Sequence, residues 1–247
     1  ALDNVSYIEA RFAPLLSTQE GLSTERILEA VLKGMEQGKT EFGIDYGVIV
    51  CAMRHESEGA NRRMLKAARE FLGNGVCAAD LAGNEAAFPM SLFMELFGEV
   101  RRLEMPFTIH AGECGSVQNI LDAVQCGASR IGHGIALRGQ KEAIAFCRDR
   151  QIGIEMCPLS NMQTKAVKDP AEYPIQEFLN ANLLVTVNTD NRTVSQTTLE
   201  KEFAFIRERY AVTREQEVQM TKNAIEVAFA SDAVKERLWK KMYTFEK

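Results

Sequence analysis

Three segments of this chain place chemistry-bearing side chains directly after an apolar, strand-like run. Phe107-Thr108-Ile109 leads into His110, and Ala111-Gly112 carries the chain on to Glu113. Arg130-Ile131-Gly132 leads into His133, with Gly134 behind it. Val185-Thr186-Val187 leads into Asn188-Thr189-Asp190-Asn191. A neutral imidazole is a good zinc ligand, and a carboxylate can bind a metal or accept a proton from bound water. Glu113, returned to the end of its strand by two small residues, is placed to carry a proton. The glycines around His133 permit tight turns and leave the ring room against a ligand.

Each segment taken singly has a plain structural reading. These are a strand-end histidine with a solvated glutamate, a core histidine with satisfied nitrogens, and an aspartate that caps the following loop or helix. Their coincidence carries more weight. The chain has only three histidines, and two of them end strands alongside an aspartate from a third strand. A metal ligand, a proton carrier and a second ligand or base together point to metal-assisted hydrolysis. A metal held by His110 and Asp190 alone would be too weakly bound, since three or four protein ligands are expected. His55, in Met53-Arg54-His55, also follows a strand-like run. Nothing nearby completes a site there, so a structural or hydrogen-bonding role is expected.

The elements that must position these groups alternate between strand and helix. Strand-like runs fall at 7–13, 46–52, 76–81, 106–110, 130–133, 152–156 and 183–188. The first helix has Ser23 as N-cap, apolar residues on one face, and Gly38 as its stop. The next carries Met64, Leu65, Ala68 and Leu72 and ends at Gly73. Further helices are predicted at 91–104, 116–125, 140–150, 173–180, 197–209, 213–230 and 233–243, with a long polar loop over 161–172. Thr213 and Gln216 form a capping-box pattern.

This alternation, with short connections, predicts parallel strands in an α/β fold. Seven strands are one short of a closed (β/α)8 TIM barrel, although an open doubly wound sheet could also hold seven. No GxGxxG or GxxxxGK[ST] follows a strand-like run, which weakens a nucleotide-binding open sheet. The length of 247 residues suits one barrel domain, so 1–247 is read as a single domain. A net charge of -5 argues against nucleic-acid and membrane-surface partners, which usually need a basic patch. No apolar run approaches the roughly 20 residues that span a bilayer. The start, Ala1-Leu2-Asp3-Asn4, shows no signal-peptide pattern. The six cysteines form no CxxC pair and mostly sit in apolar runs, as expected of reduced thiols in a cytoplasmic protein.

Five motifs, in order, resemble the adenosine deaminase family along essentially the whole chain. Asp80-Leu81-Ala82-Gly83-Asn84-Glu85 is similar to its DLAGDE loop, and His110-Ala111-Gly112-Glu113 to its HAGE motif. Ile131-Gly132-His133-Gly134 resembles IGHG, Met156-Cys157-Pro158-Leu159-Ser160-Asn161 the CP-x-SN stretch, and Asn188-Thr189-Asp190 the segment with the metal-binding aspartate. The resemblance implies a zinc enzyme with His110 and Asp190 as metal ligands. It implies that Glu113 donates a proton to purine N1, and that His133 orients or deprotonates the attacking water and stabilises charge. Asp190 would also hydrogen-bond that water, and the Gly83 backbone would contact the purine. The implied reaction is deamination of adenosine or 2′-deoxyadenosine, giving inosine and ammonia from adenosine, in purine salvage. The deaminase class marked by HxE and PCxxC is excluded, because neither motif occurs.

Two departures from the family pattern stand out. The family's other two zinc ligands form an HxH motif on the first barrel strand, and no HxH is present. The sequence is therefore expected to be an N-terminally truncated barrel that holds strands 2–8 and is inactive alone, with zinc absent or weakly bound. An open barrel edge would invite self-association. The second departure is Asn191, where many members have an aspartate that bonds purine N7; an asparagine amide can donate to N7 instead. The alternatives are a deaminase of adenine or another adenine nucleoside or nucleotide, a different barrel hydrolase acting on esters or amides, and a non-catalytic paralogue.

Overall fold

The computed structural model describes residues 4–114 and 116–245, so the reading of the first three residues lies outside the described residues. Seven strands are present among the described residues: β1 (Tyr7–Phe12), β2 (Asp45–Met53), β3 (Val76–Ala82), β4 (Thr108–Ala111), β5 (Arg130–His133), β6 (Gly153–Met156) and β7 (Leu184–Val187). They run β1-β2-β3 in one sheet and β4-β5-β6-β7 in another. The β1–β2, β2–β3, β5–β6 and β6–β7 pairings are parallel. Two compact units are formed. One comprises Ala1–Phe88, Leu92–Thr108 and Ala228–Lys247, and the other Pro89–Ser91 and Ile109–Val227.

In the first unit, β2 is apolar on both faces. Val48, Ile49, Val50 and Ala52 are fully buried, as in a parallel strand covered on either side. Helix α1 (Thr24–Phe42) starts where expected, with the Ser23 hydroxyl accepting from the Arg26 amide at 3.4 Å. It does not stop at Gly38. That glycine is absorbed inside the helix at a cost of about 1 kcal/mol, and the chain turns at Gly43, whose left-handed φ of 68° closes the helix. Helix α2 (Glu58–Arg69) likewise ends before Gly73, which instead serves the turn into β3 by donating its amide to the Val76 carbonyl. Helices α3 (Met94–Arg102) and α11 (Asp232–Phe245) also belong to this unit.

The second unit carries helices α4 (Val117–Cys126), α5 (Lys141–Asp149), α6 (Pro158–Gln163), α7 (Ile175–Asn180), α8 (Arg192–Ser195), α9 (Leu199–Tyr210) and α10 (Arg214–Val227). The polar stretch expected as loop over 161–172 opens on the second half of α6. Pro158 starts that helix, where its missing N–H costs nothing. The capping box closes as predicted: Thr213 Oγ1 accepts from the Gln216 amide at 3.3 Å and Gln216 Oε1 from the Thr213 amide at 3.0 Å. Two polar ties lock the strands to α10. Asn223 Nδ2 donates to the Val185 carbonyl at 2.9 Å. Arg130, ion-paired with Glu155 at 2.7 Å, donates to the Val227 carbonyl at 3.1 Å.

Candidate active site

The C-terminal end of β4 delivers His110, and the turn behind it favours a glycine. Gly112 has φ 76°, and a Cβ there would lie 2.5 Å from Ile120 Cδ1. The following turn is tied to the adjacent strand end, because the Gly134 amide donates to the Ala111 carbonyl and the Ala136 amide to the Gly112 carbonyl. At the end of β5, Gly132 lets two backbones close up: a Cβ on it would sit 3.3 Å from His110 Cα. His133 itself takes a left-handed φ of 67° and is only 3% exposed. A non-glycine residue held in that region costs of order 1–3 kcal/mol, and such strain gathers at functional sites. The His110 and His133 rings end 5.2 Å apart between centroids.

Both nitrogens of His133 face polar groups. Nε2 is 3.6 Å from Glu113 Oε2, and Nδ1 is 3.0 Å from Asn161 Nδ2. With the amide NH2 donating to Nδ1, the ring proton sits on Nε2 and faces Glu113. Turning the amide over reverses the tautomer. Asn161 is fully buried, so it holds the ring in place as well as setting its proton.

The end of β7 supplies Asp190, again with a left-handed φ, 51°. Its carboxylate is exposed, and its Oδ2 accepts from the Ser160 hydroxyl at 2.7 Å. The capping role weighed for Asp190 belongs to its neighbour. Asn191 Oδ1 accepts from the Val194 amide at 3.0 Å and starts α8, a short helix the sequence did not suggest. Asn191 therefore keeps its amide nitrogen for donation. In the first unit, Gly83 follows β3 with φ 108°, and a Cβ there would be 3.4 Å from the Arg54 amide nitrogen and 3.6 Å from His55 Nδ1.

His110, Glu113 and His133 thus converge directly, and Asp190 joins them through Ser160 and Asn161, consecutive residues of α6. Those two residues stood in a recognisable motif, but nothing in their spacing announced what they would hold. His110 and Asp190 are donors of the type zinc prefers. Among the described residues no group of three His, Cys, Asp or Glu is gathered to hold a metal.

Comparison with known proteins identifies the family. The adenosine deaminase family profile matches residues 1–245. The chain is 46% identical over 242 residues to an adenosine deaminase of Enterococcus faecalis, covering 98% of this chain and 72% of that one. The chain belongs to the adenosine deaminase family. Among solved structures, a zinc-bound amidohydrolase from Burkholderia ambifaria superposes with a TM-score of 0.91 at 21% identity, over 98% of this chain and 68% of that one. The N6-methyl-AMP deaminase of Arabidopsis thaliana superposes at 0.89 with 25% identity, over 99% and 74%. The fold class is that of the (β/α)8 barrel deaminases, as the family resemblance implied, and its parallel strands are those the strand–helix alternation predicted.

Proposed function

We propose that the protein catalyses hydrolytic deamination of adenosine to inosine and of 2′-deoxyadenosine to 2′-deoxyinosine, releasing ammonia, in purine salvage. The observation that carries this reading is the convergence of Glu113 and His133, 3.6 Å apart, beside the His110 ring. In this reading Glu113 gives its proton to purine N1, so the ring accepts electrons as water adds at C6. His133 takes or orients the proton of that water and steadies the developing charge. Asp190, its other oxygen fixed by Ser160, accepts a hydrogen bond from the same water. A proton then moves to the exocyclic nitrogen, the C6–N bond breaks, ammonia departs and the N1 proton stays in the inosine ring. The Gly83 backbone and the Asn191 amide are assigned to the purine.

His110 and Asp190 are the residues of this chain that would hold zinc, together with further ligands beyond those gathered among the described residues. Zinc would lower the pKa of a bound water to roughly 7. The zinc carried by the Burkholderia amidohydrolase supports the choice of metal. The substrate is a small purine nucleoside, with neither nucleic acid nor membrane as partner. No described helix is long and apolar enough to cross a membrane. The absence of a CxxC pair, with cysteines placed mostly in apolar runs, supports the choice of a cytoplasmic setting.

The test is ammonia release from adenosine, adenine and adenosine monophosphate, using protein made from its complete coding sequence with zinc quantified. Adenosine is expected to be turned over in preference to the other two. Turnover of adenine or the nucleotide instead would move the substrate assignment. No release from any of them, at full zinc occupancy, would overturn the reaction.

A further inference from the structure

Helix α6 presents three consecutive residues to three different partners. Asn161 meets His133 Nδ1 at 3.0 Å and Ser160 meets Asp190 Oδ2 at 2.7 Å. The Leu159 backbone amide donates to Glu202 Oε2 at 3.0 Å. Glu202 comes from α9, 43 residues further along the chain, and is fully buried. A carboxyl with no solvent access is costly to fold unless it is well bonded, and an apolar residue at this position of α9 would pack without that cost. Ile206, one turn further on, is also fully buried and shows that this face of α9 is otherwise a packing face. The acid therefore calls for an explanation, and its bond to Leu159 provides one. The first amides of a helix have no partner within the helix, and α6 has no side-chain cap of its own.

We propose that Glu202 is a positioning residue for the deamination: by gripping the Leu159 amide it fixes the rotation of α6, and so places Ser160 against Asp190 and Asn161 against His133. This rests on the reading of His133 and Asp190 as reacting groups, but the grip itself is a separate claim. A six-residue helix has little stability of its own and is held by its contacts. One turn of slippage would carry Asn161 and Ser160 off both partners together. Burial pushes the Glu202 carboxyl above its usual range; the Leu159 amide and the Thr197 hydroxyl oppose this, and the Asp190 carboxylate adds to it.

The test compares Glu202→Met, which keeps the volume but removes the acceptor, with Glu202→Gln, whose amide oxygen can still accept. The readouts are the ¹⁵N signals of the His133 ring, hydrogen exchange at the Leu159 amide, and kcat and KM for adenosine. Glu202→Met is expected to speed Leu159 exchange about tenfold, the loss of one buried hydrogen bond, and to shift the His133 ring signals. It should lower kcat more than it raises KM, and Glu202→Gln should restore all three. Ile206→Ala serves as the control, lowering the melting temperature while leaving the His133 signals in place. Unchanged His133 signals and Leu159 exchange in a folded Glu202→Met protein would overturn the proposal, as would equal shifts in Ile206→Ala. An enzyme inactive on adenosine that still shows the Met-specific shifts would sink the reaction and leave the grip standing.

Discussion

Replacing Asn161 by leucine removes the side chain that bonds His133 Nδ1 while nearly preserving its volume. The bond is 3.0 Å long and joins a fully buried amide to a ring that is 3% exposed, so water cannot substitute at either end. Leaving such a group without its partner costs about 1–3 kcal/mol. If the bond matters chiefly as the ring handles its proton, that cost appears in the transition state. At about 1.4 kcal/mol per decade, kcat should then fall roughly 5- to 150-fold with little change in KM. Steady-state kinetics on adenosine measure both constants. Asn161→Asp adds a second discrimination. A carboxylate can only accept, so it holds a proton on Nδ1 and favours the imidazolium. The acidic limb of the kcat profile should therefore move to higher pH, because the ring must lose a proton before it can act as base. The reasoning fails if Asn161→Leu keeps kcat within about twofold while its melting temperature drops, since Asn161 would then be packing alone.

Other perturbations have equally definite outcomes. Arg130→Met removes the guanidinium facing Glu155, both side chains being 6% exposed, and should cost about 3–5 kcal/mol in urea unfolding; the double variant with Glu155→Leu should recover part of that loss, and a purely additive double variant would contradict it. Gly134→Ala sets a Cβ 2.9 Å from Ile154 Cγ2 at a φ of +65° and should lower stability by about 1–3 kcal/mol, read as a shift in the denaturation midpoint. The Arg237 guanidinium, bonded to Asp45, holds that carboxyl below its usual 3.8, with Lys39 adding to the effect. Its stabilisation is present above 3.8 and is lost as pH falls through the lowered folded value. Arg237→Gln should flatten that acid dependence by less than about 1 kcal/mol, because Arg237 is 55% exposed and screened by solvent; an unchanged pH–stability curve would show that the pair contributes nothing.

The sequence alone determined the order of the strands and of the longer helices, and it named the candidate reacting groups. Apolar runs of strand length and helical periodicity are local properties, so β5 appears residue for residue where 130–133 read as strand, and the Ser23 and Thr213 caps form as read. His110, Glu113, His133 and Asp190 were legible because each follows a strand end, where a parallel α/β fold collects its chemistry. Helix ends were less legible. Gly38 and Gly43 carry the same local signal, and only the left-handed turn at Gly43 decides between them. Helix α6 was hidden because its asparagine and glutamine read as loop, and its support comes from distant groups. What holds His133 and Asp190 could not be read from spacing at all. Asn161 lies 28 residues from His133, Ser160 lies 30 from Asp190 and Leu159 lies 43 from Glu202. Bonds between residues so far apart form only when packing closes the chain upon itself, and no local pattern encodes which partners will meet.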